Sequence, residues 1–407
     1  MSESWKTSSL GSLCDIVGGG TPPKDNPAFY GGDIPWATVR DMRQDIIATT
    51  EYRITKDAVK SSATNVVPAG NVVIATRVGL GKVCLLAQDT AINQDLRGVV
   101  PRDSSILAVR FLYWWFKSIA ERIVAEGTGA TVQGVKLPFV KSLQVPLPPI
   151  AEQRRIIGIL DEILDGIATA KANAEQNLRN AGALLESRLH SAFTEIREGW
   201  VESTVEELVD EGVLAKPFDG NHGEIHPKKS DYTVSGVPFI MARDLHDGLV
   251  DTENCIFISR KLAGSLRVGA AKDGDVLMSH KGTIGRTAIL STEDDYIMLT
   301  PQVTGYRILD TSKLFNRFVR YYFMSPYFQR VMTVGAADGS TRAYIGITKQ
   351  LKLPFRFPAI GEQKRIASAL DDLGEETERL SLLYERKLSA LETLKQSVLQ
   401  HAFTGQL

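Results

Sequence analysis

The sequence predicts an α+β fold in which two repeated α/β modules are separated by two long antiparallel helices that form a coiled coil with pseudo-two-fold symmetry. Three features predict it: an internal repeat, short β-branched runs separated by turn residues, and a long apolar seam at the end of each copy. Residues 148–156 match residues 358–366, so that Glu152 and Glu362 stand 210 positions apart in the 407-residue chain. Self-similarity at this distance indicates two copies of one unit.

The first part of each copy is predicted to be an α/β module. Three further segment pairs match although the offset drifts: 34–41 with 237–244, 70–77 with 274–281, and 111–116 with 318–323. Short runs rich in Val and Ile between Gly, Pro and Asn residues are typical of strands and turns. One aromatic helix follows in each copy, near residues 104–126 and 313–333. The predicted modules span residues 1–147 and 199–356, and Trp114-Trp115 and Tyr321-Tyr322 are expected to be core side chains.

A long spacer helix is predicted after each module, at residues 148–198 and 357–407. Apolar residues recur there as in the a/d seam of a coiled coil. Each helix has about 40–45 residues and is ~60–68 Å long, too long to be buried by its own module. It either lies across the neighbouring module or pairs with the other helix, and we favour pairing. The seams are Ile156, Leu160, Ile163, Ile167, Ala170, Ala174, Leu178, Ala181, Leu185, Leu189 and Ala192, and Ile366, Leu370, Leu373, Thr377, Leu380, Tyr384, Leu388, Leu391, Leu394, Val398 and Ala402.

The residue pattern contains no catalytic or cofactor site that we recognise. Gly18 to Gly20 precede a Thr-Pro-Pro sequence, and prolines cannot supply the backbone N–H groups of a phosphate-binding helix. His222 and His226 lie in a predicted loop without a third metal ligand. No nucleophile stands in a motif with its base. No metal and no cofactor are therefore expected in this chain.

Composition favours a cytoplasmic protein that does not enter a membrane. The longest apolar run, residues 111–116, is far shorter than the ~20 residues of a membrane helix. Cys14, Cys84 and Cys255 are widely separated and are expected to be buried thiols. With 47 Lys+Arg and 48 Asp+Glu the formal net charge is −1, which for the chain as a whole argues against nucleic-acid binding.

A repeated module on a rigid spacer nevertheless suits a partner with two-fold symmetry, and two such modules can read two half-sites of duplex DNA. Several short motifs recur in order through nearly the whole chain: Gly18-Gly-Gly-Thr-Pro22, Tyr30-Gly-Gly-Asp-Ile-Pro-Trp36, Leu80-Gly-Lys82, Ile284-Gly-Arg286, Asn93-Gln94, and the two Pro-x-Ile-x-Glu-Gln helix starts. In these motifs the sequence resembles the specificity (S) subunits of type I restriction-modification systems.

The resemblance implies a non-catalytic subunit that reads a bipartite, asymmetric sequence of double-stranded DNA through two target-recognition domains. It also implies that the long helices set the spacing of the half-sites and dock two methyltransferase (M) subunits, with restriction (R) subunits as further partners. S-adenosylmethionine, ATP and Mg²⁺ would belong to those partner subunits. The candidate partner-binding residues lie at the two helix starts: Glu152, Gln153, Arg155, Glu362, Gln363 and Arg365.

Candidate DNA contacts are the basic and polar residues at matched turns and in divergent loops, because Arg, Lys, Asn and Gln read base edges and contact phosphates. The matched turns contribute Arg40 and Arg243, Arg77 and Lys281, Lys82 and Arg286, and Gln133 with Thr341 and Arg342. The divergent loops contribute Lys24, His222, His226, Lys228 and Lys229. In our alignment Pro301-Gln302 stands where the first copy has Asn93-Gln94.

Charge is unevenly distributed along the repeat. Residues 1–145 carry a net charge of +3, whereas the second module combines −8 over residues 199–253 with +6 over residues 307–352. Both helix segments are weakly acidic, at −2 for residues 146–198 and −1 for residues 355–407. We therefore expect the chain alone to bind DNA weakly, with partner subunits adding cationic surface.

Two other classes of function were considered. A self-contained DNA methyltransferase would need a cofactor-binding strand-turn-helix and an Asn/Asp-Pro-Pro-aromatic motif, which neither residues 22–24 nor residues 148–150 provide. A helical protein-protein adaptor would not need divergent polar loops on matched frames. The DNA-specificity interpretation is therefore preferred to both.

Overall fold

A computed structural model describes residues 5–129, 134–194, 198–222, 226–246, 248–336 and 344–407. The chain divides into two compact units, one formed by Met1–Glu175 with Arg386–Leu407 and the other by Gln176–Glu385. Each unit therefore contains one module and a part of each long helix. Within the described ranges, no helix is both long enough and apolar enough to span a membrane.

The first module is a set of short strands with helices between them. Its strands are β1 (Thr7–Ser9), β2 (Cys14–Gly18), β3 (Tyr30–Ala37), β4 (Ile46–Ile47), β5 (Tyr52–Ile54), β6 (Asn65–Val67), β7 (Val72–Ala75), β8 (Val83–Leu86), β9 (Thr90–Ile92), β10 (Leu96–Pro101) and β11 (Gln144–Pro146). Its helices are α1 (Leu10–Leu13), α2 (Lys56–Lys60), α3 (Val109–Ser118), α4 (Ala120–Ala125) and α5 (Leu137–Ser142), and the long helix α6 (Ile150–Phe193) follows.

The second module repeats this order. Its strands are β12 (Val201–Thr204), β13 (Tyr232–Thr233), β14 (Val237–Ile240), β15 (Leu245–His246), β16 (Leu249–Val250), β17 (Ile256–Ile258), β18 (Ala270–Ala271), β19 (Val276–Ser279), β20 (Thr287–Ile289), β21 (Ile297–Leu299), β22 (Val303–Tyr306) and β23 (Pro354–Phe357). Its helices are α7 (Val205–Asp210), α8 (Arg260–Ser265), α9 (Asn316–Met324), α10 (Pro326–Ala336) and α11 (Ile347–Leu351), and the long helix α12 (Ile360–Phe403) follows.

The two modules share the register of their central sheets. In the first, β7 pairs antiparallel with β8 and β10 and β3 runs parallel to β9; in the second, β19 pairs with β20 and β22 and β14 runs parallel to β21. Val72 opposes Leu85 in one hairpin and Val276 opposes Ile289 in the other. The predicted α+β class and the repeated module are confirmed.

The modules differ at one sheet edge. Strand β2 pairs with β10 over five residues, whereas the matching segment of the second module makes only isolated bridges, Leu214 to Ile308 and Phe218 to Gly305. Pro217 lies between these bridges. It has no backbone N–H to donate to the ladder, so a regular strand is interrupted there.

Each predicted aromatic helix consists of two shorter helices. Residue Ile119 separates α3 from α4, and Ser325 separates α9 from α10. Ser325 adopts an extended conformation because the following residue, Pro326, disfavours the helical region for its predecessor. Trp114, Trp115, Tyr321 and Tyr322 are all buried, as predicted.

The long helices run antiparallel and pair within each unit. In the first unit, Lys171 on α6 lies 3.6 Å from Glu392 on α12, and the Arg155 guanidinium donates to the Leu407 carbonyl oxygen near the other end. Ile156, Leu160, Ala174 and Ala181 are buried at seam positions of α6. The predicted pairing is therefore confirmed.

One predicted seam position of α12 is wrong. Leu394 is 47% exposed, while Leu391 and Val398 are partly buried and pack on the core of the first unit. Lys395 and Ser397 are the partly buried residues between them, and Lys395 continues the seam with a spacing of four, three and four. A lysine can occupy such a position because its aliphatic stem packs while its ammonium group reaches water.

Each long helix is fixed to its own module by matched contacts. Aspartates on the helices bind pairs of residues on the aromatic helices: Asp161 accepts from Arg110 (2.7 Å) and Trp114 (2.9 Å), and Asp371 accepts from Arg317 (3.0 Å) and Tyr321 (2.7 Å). Aromatic side chains complete each core, with Phe111 against Phe403 in the first unit and Phe193 against Phe318 in the second. Each module is therefore attached to the long-helix segments within its own unit.

Candidate nucleic-acid interface

Two matched backbone turns carry most of the predicted DNA contacts. In the first module the N–H of Ala75 donates to the carbonyl oxygen of Lys82 at 3.0 Å; in the second the N–H of Ser279 donates to that of Arg286 at 2.9 Å. Gly81 and Gly285 both have positive φ at the end of the turn, a conformation that glycine adopts without strain. Lys82 and Arg286 are therefore held at equivalent positions, and both are exposed.

A second matched segment lies beside each turn, and it corrects our alignment by one residue. The N–H of Asn93 donates to Ala37 O at 3.0 Å, and the N–H of Thr300 donates to Ile240 O at 2.9 Å. Asn93 is thus equivalent to Thr300, so Gln94 corresponds to Pro301 and not to Gln302. Gln302 instead takes the position of Asp95.

A glycine fixes the loop that precedes β3 or β14 against this segment. A Cβ atom on Gly19 would come within 1.9 Å of Asn93 O, and one on Gly220 within 2.0 Å of Leu299 O. The surrounding loop sequences differ, yet both retain the glycine because the backbones pass too closely for any side chain. The divergent loops are therefore set on one common frame.

In the first module the frame joins a cation to an anion. Arg77 Nη1 lies 3.7 Å from Asp95 Oδ1, and the Arg77 side chain is 52% exposed whereas that of Asp95 is 16% exposed. Asp95 also accepts a hydrogen bond from the Asn93 amide at 3.1 Å. The guanidinium thus faces water with one carboxylate behind it.

In the second module the same positions line an open cavity. Lys281 and Gln302 are both exposed and line a volume of about 260 Å³. The other lining residues come from the divergent loop, the end of β14 and the turn after β21: His222, His226, Met241, Thr300 and Pro301. The Lys281 ammonium lies 5.9 Å from the centre of the Tyr344 ring. The cavity combines polar donors with an apolar floor, as a site that contacts base edges requires.

A buried histidine supports the divergent loop. His280 is completely buried; its Nδ1 is hydrogen-bonded to the Thr304 hydroxyl at 2.7 Å, and Thr304 accepts from the Gln350 amide at 2.9 Å. Asp219 Oδ2 lies 3.6 Å from His280 Nε2 and 2.9 Å from His222 Nε2. Burial lowers the pKa of His280 to about 4, against the opposing effect of Asp219. His280 is therefore neutral near pH 7.

The remaining predicted contacts are exposed but weakly engaged. Arg40 and Arg243 lie in matched 3-10 turns, with side chains 73% and 64% exposed and nearest carboxylates at 3.9 and 3.4 Å. Lys24, Lys228 and Lys229 are exposed. His226 is partly buried, and its Nδ1 has no hydrogen-bond partner among the described residues. Gln133, Thr341 and Arg342 lie outside the described residues.

A larger cleft of about 1390 Å³ opens within the second unit between the module and the long helices. Arg243, Arg286 and Arg320 line it on the module side, and Glu375 and Glu378 on α12. Arg320 makes no ion pair with a described residue, and its guanidinium lies where a Cβ on Gly248 would come within 2.1 Å. Arg320 could not be predicted from the repeat, because its equivalent in the first module is Tyr113.

The helix starts show which predicted partner contacts are available. Glu152 and Arg155 form a 2.7 Å ion pair, and Glu362 and Arg365 form the same pair at 2.6 Å. The hydrogen bond from Arg155 holds the pKa of Glu152 below its ordinary value. The arginines are 46% and 70% exposed, so these predicted contacts lie at the surface.

The predicted partner contacts of Gln153 and Gln363 have to be corrected. Both side chains are completely buried. The Gln153 amide bonds the N–H of Ala108 and the carbonyl oxygens of Ile106 and Pro148, at 2.8 to 3.0 Å, and Gln363 makes the equivalent three bonds in its own module. These glutamines therefore join module to helix and are not accessible to another protein.

The cysteines provide no nucleophile. Burial raises the pKa of Cys14 to about 12 and those of Cys84 and Cys255 to about 11, so all three remain thiols at neutral pH. The described part of the chain contains no group of three or more His, Cys, Asp or Glu residues placed to hold a metal ion. The two modules present cationic and amide side chains at equivalent positions beside loops of different sequence, an arrangement suited to recognition of a partner.

These features define a two-module recognition protein. Comparison with known proteins identifies the type: a family model described as the type I restriction modification DNA specificity domain matches residues 2–178 and 198–387. The chain therefore belongs to the type I restriction-modification DNA specificity family. It is a non-catalytic subunit, as its sequence predicts.

Individual relatives agree. The type I restriction enzyme MjaIX specificity subunit of Methanocaldococcus jannaschii is 28% identical over 368 residues, which cover 84% of this chain and 81% of that protein. The EcoR124I/EcoR124II specificity subunit of Escherichia coli is 34% identical over 165 residues, which cover 39% of this chain and 40% of that protein. The alignment thus spans less than half of the Escherichia coli protein.

Solved structures share the fold. A chain from a study of complex assembly and conformational transition of the type I R-M system superimposes with a TM-score of 0.77 at 19% identity, covering 99% of this chain and 98% of that chain. The HsdS subunit from Thermoanaerobacter tengcongensis gives a TM-score of 0.66 at 20% identity, covering 100% of this chain and 98% of that chain. At this identity the likeness concerns the fold alone.

Proposed function

We propose that this chain is the sequence-reading subunit of a type I restriction-modification complex and that each module reads one half of a bipartite, asymmetric DNA site. The observation that carries the proposal is the pair of matched backbone frames, on which equivalent turns hold Arg77 and Lys82 in one module and Lys281 and Arg286 in the other. Divergent loops on a common frame suit two different half-sites, because base identity is read by side chains while the frame fixes their position.

The long helices serve as spacer and docking surface. Their exposed faces carry the Glu152–Arg155 and Glu362–Arg365 pairs at two equivalent places, which supports binding of two copies of a methyltransferase subunit, with restriction subunits as further partners. S-adenosylmethionine binds the methyltransferase subunits, and ATP and Mg²⁺ serve the restriction subunits. The complex acts in the cytoplasm. The near-zero net charge of −1 supports weak DNA binding by the chain alone.

The test is to co-express the chain with modification subunits of a type I system and to map methylated bases by genome sequencing. The expected result is one bipartite motif. Exchanging residues 1–147 for those of another family member should change one half of it, and exchanging residues 199–356 should change the other half. Methylation by the chain without partners, or a motif that ignores both exchanges, would refute the proposal.

A further inference from the structure

We infer that the side chains at residues 95 and 302 determine which base each module accepts beside Arg77 and Lys281. The inference rests on the proposed function, in which each module reads one half-site. At this position the two modules share their backbone hydrogen bond but differ in side-chain hydrogen-bonding chemistry, a carboxylate in one and an amide in the other.

The backbone equivalence is given by one pair of hydrogen bonds. The N–H of Thr76 donates to Asp95 O at 2.8 Å, and the N–H of His280 donates to Gln302 O at 2.9 Å. The first bond holds Asp95 beside Thr76, the residue before Arg77. The second holds Gln302 beside His280, the residue before Lys281. The cation and its neighbour are therefore presented together in both modules, and only the side chains differ.

The side chains offer different patterns to a base edge. An arginine such as Arg77 can donate to guanine O6 and N7, whereas the carboxylate of Asp95 only accepts. Lys281 also donates, but Gln302 both donates and accepts and can bind adenine N6 and N7 in a bidentate manner. The carboxylate of Asp95 should therefore disfavour the bases that the Gln302 amide can bind. The Gln302 amide should in turn disfavour the bases that are accepted beside Asp95.

The two residues act in different ways. Asp95 is largely covered and lies 3.7 Å from Arg77, so it is a positioning residue that orients the guanidinium. Gln302 is exposed in the 260 Å³ cavity. Its Oε1 accepts a long, 3.4 Å hydrogen bond from the Ala242 N–H, and its amide N–H groups make no hydrogen bond with a described residue. Gln302 is therefore free to contact a base itself.

The experiment exchanges the two residues in the full chain, assembled with modification subunits. Asp95→Gln and Gln302→Asp are introduced separately, and the methylated motif and its base preferences are measured by genome sequencing. Gln302→Asp should shift the preference at one base-pair position of the second module's half-site by about tenfold and leave the other half unchanged. Asp95→Gln should do the same in the first module's half-site.

The controls separate specificity from charge and folding. Ser235→Asp adds the same carboxylate to an exposed turn of the second module and should leave both half-sites unchanged. Thermal unfolding reports whether each variant folds; if Gln302→Asp does not, Gln302→Ala should relax the preference at the same single position. A wild-type complex without a bipartite motif would refute the proposed function, whereas a bipartite motif that no exchange alters, or that weakens equally in both halves, would refute this inference alone.

Discussion

The first module closes one corner with an ion pair, whereas the second places there a cation, Arg320, that makes no ion pair with a described residue. Asp45 and Lys117 meet at 2.8 Å in the first module. The second has Gly248 at the position of Asp45, because the carbonyl oxygens of both accept from the following sheet, at 2.8 Å from Leu85 and 3.0 Å from Ile289. Met324 replaces the lysine, and Arg320 fills the space beside the glycine.

One sheet register thus carries different charges in the two modules. Replacing an aspartate by glycine removes both a carboxylate and a Cβ, which makes room for a guanidinium that lies 4.8 Å from the centre of the Tyr321 ring. A cation is thereby placed at the edge of a cleft without a change in sheet register. Differences between the modules are thus carried largely by side chains.

The largest loss of stability is expected from substitution of Gly220 or Gly19, the glycines at equivalent positions of the two loops. Gly220→Ala should destabilise the second unit by about 3 kcal/mol or more, because the new Cβ would lie 2.0 Å from Leu299 O and the loop would have to move. Gly19→Ala should act similarly in the first unit. Gly264→Ala is the matched control, since its Cβ would meet nothing within 4 Å. Chemical denaturation measures all three, and equal stabilities would show that the loop frame is not shared.

The next effect concerns a position that is occupied by Thr76 in the first module and by His280 in the second. The pKa of His280 is about 4 in the folded chain, below its ordinary 6.5, so the unfolded state binds a proton that the folded state does not. Its contribution is fully present above pH 6.5 and is lost as the pH falls toward 4, by about 3 kcal/mol in all. His280→Thr, the first module's residue, should remove this loss. Unfolding free energies from pH 7 to pH 4 test it; parallel profiles for the two proteins would contradict it.

A smaller change in the free energy of unfolding is expected when the Asp45–Lys117 ion pair of the first module is removed, as it is in the second module. Lys117→Met removes the partner of Asp45, whose side chain is 64% exposed, and should therefore cost only about 0.5–1 kcal/mol. Raising the salt concentration should shrink the difference from the wild type, because an exposed ion pair is screened. A salt-independent loss would instead mean that Lys117 stabilises the module by packing.

The smallest effects should be the same in both copies. Arg155→Ala and Arg365→Ala each remove an exposed i,i+3 ion pair on a helix, so each should change the unfolding free energy by about 0.5 kcal/mol or less. Both should weaken association with modification subunits, measured by titration calorimetry. A large loss of stability for either would indicate that the pair fastens the helix and does not serve a partner.

The sequence predicts the helix seams and the two-copy repeat well, but it predicts poorly which distant segments contact each other. The helix seams follow from spacing alone, and the two-copy order follows from the repeat. The equivalence of Asp95 with Gln302 was missed because Gln94 and Gln302 look alike in sequence, whereas only hydrogen bonds across the sheet fix the register. The burial of Gln153 and Gln363 was missed for a related reason: polar residues at an amphipathic helix start suggest an exposed face, and their three buried partners come from distant loops.

The most direct test of two independent readers on a helical spacer is to lengthen the spacer without touching either module. Inserting four residues after Ala174 adds one helical turn, about 6 Å. A second four-residue insertion after Leu388, which lies opposite the first because Lys171 pairs with Glu392, preserves the pairing of α6 with α12. Mapping methylated bases should show both half-sites unchanged and the gap between them longer by about two base pairs. A changed half-site sequence, or an unchanged gap in a folded and active complex, would contradict the account.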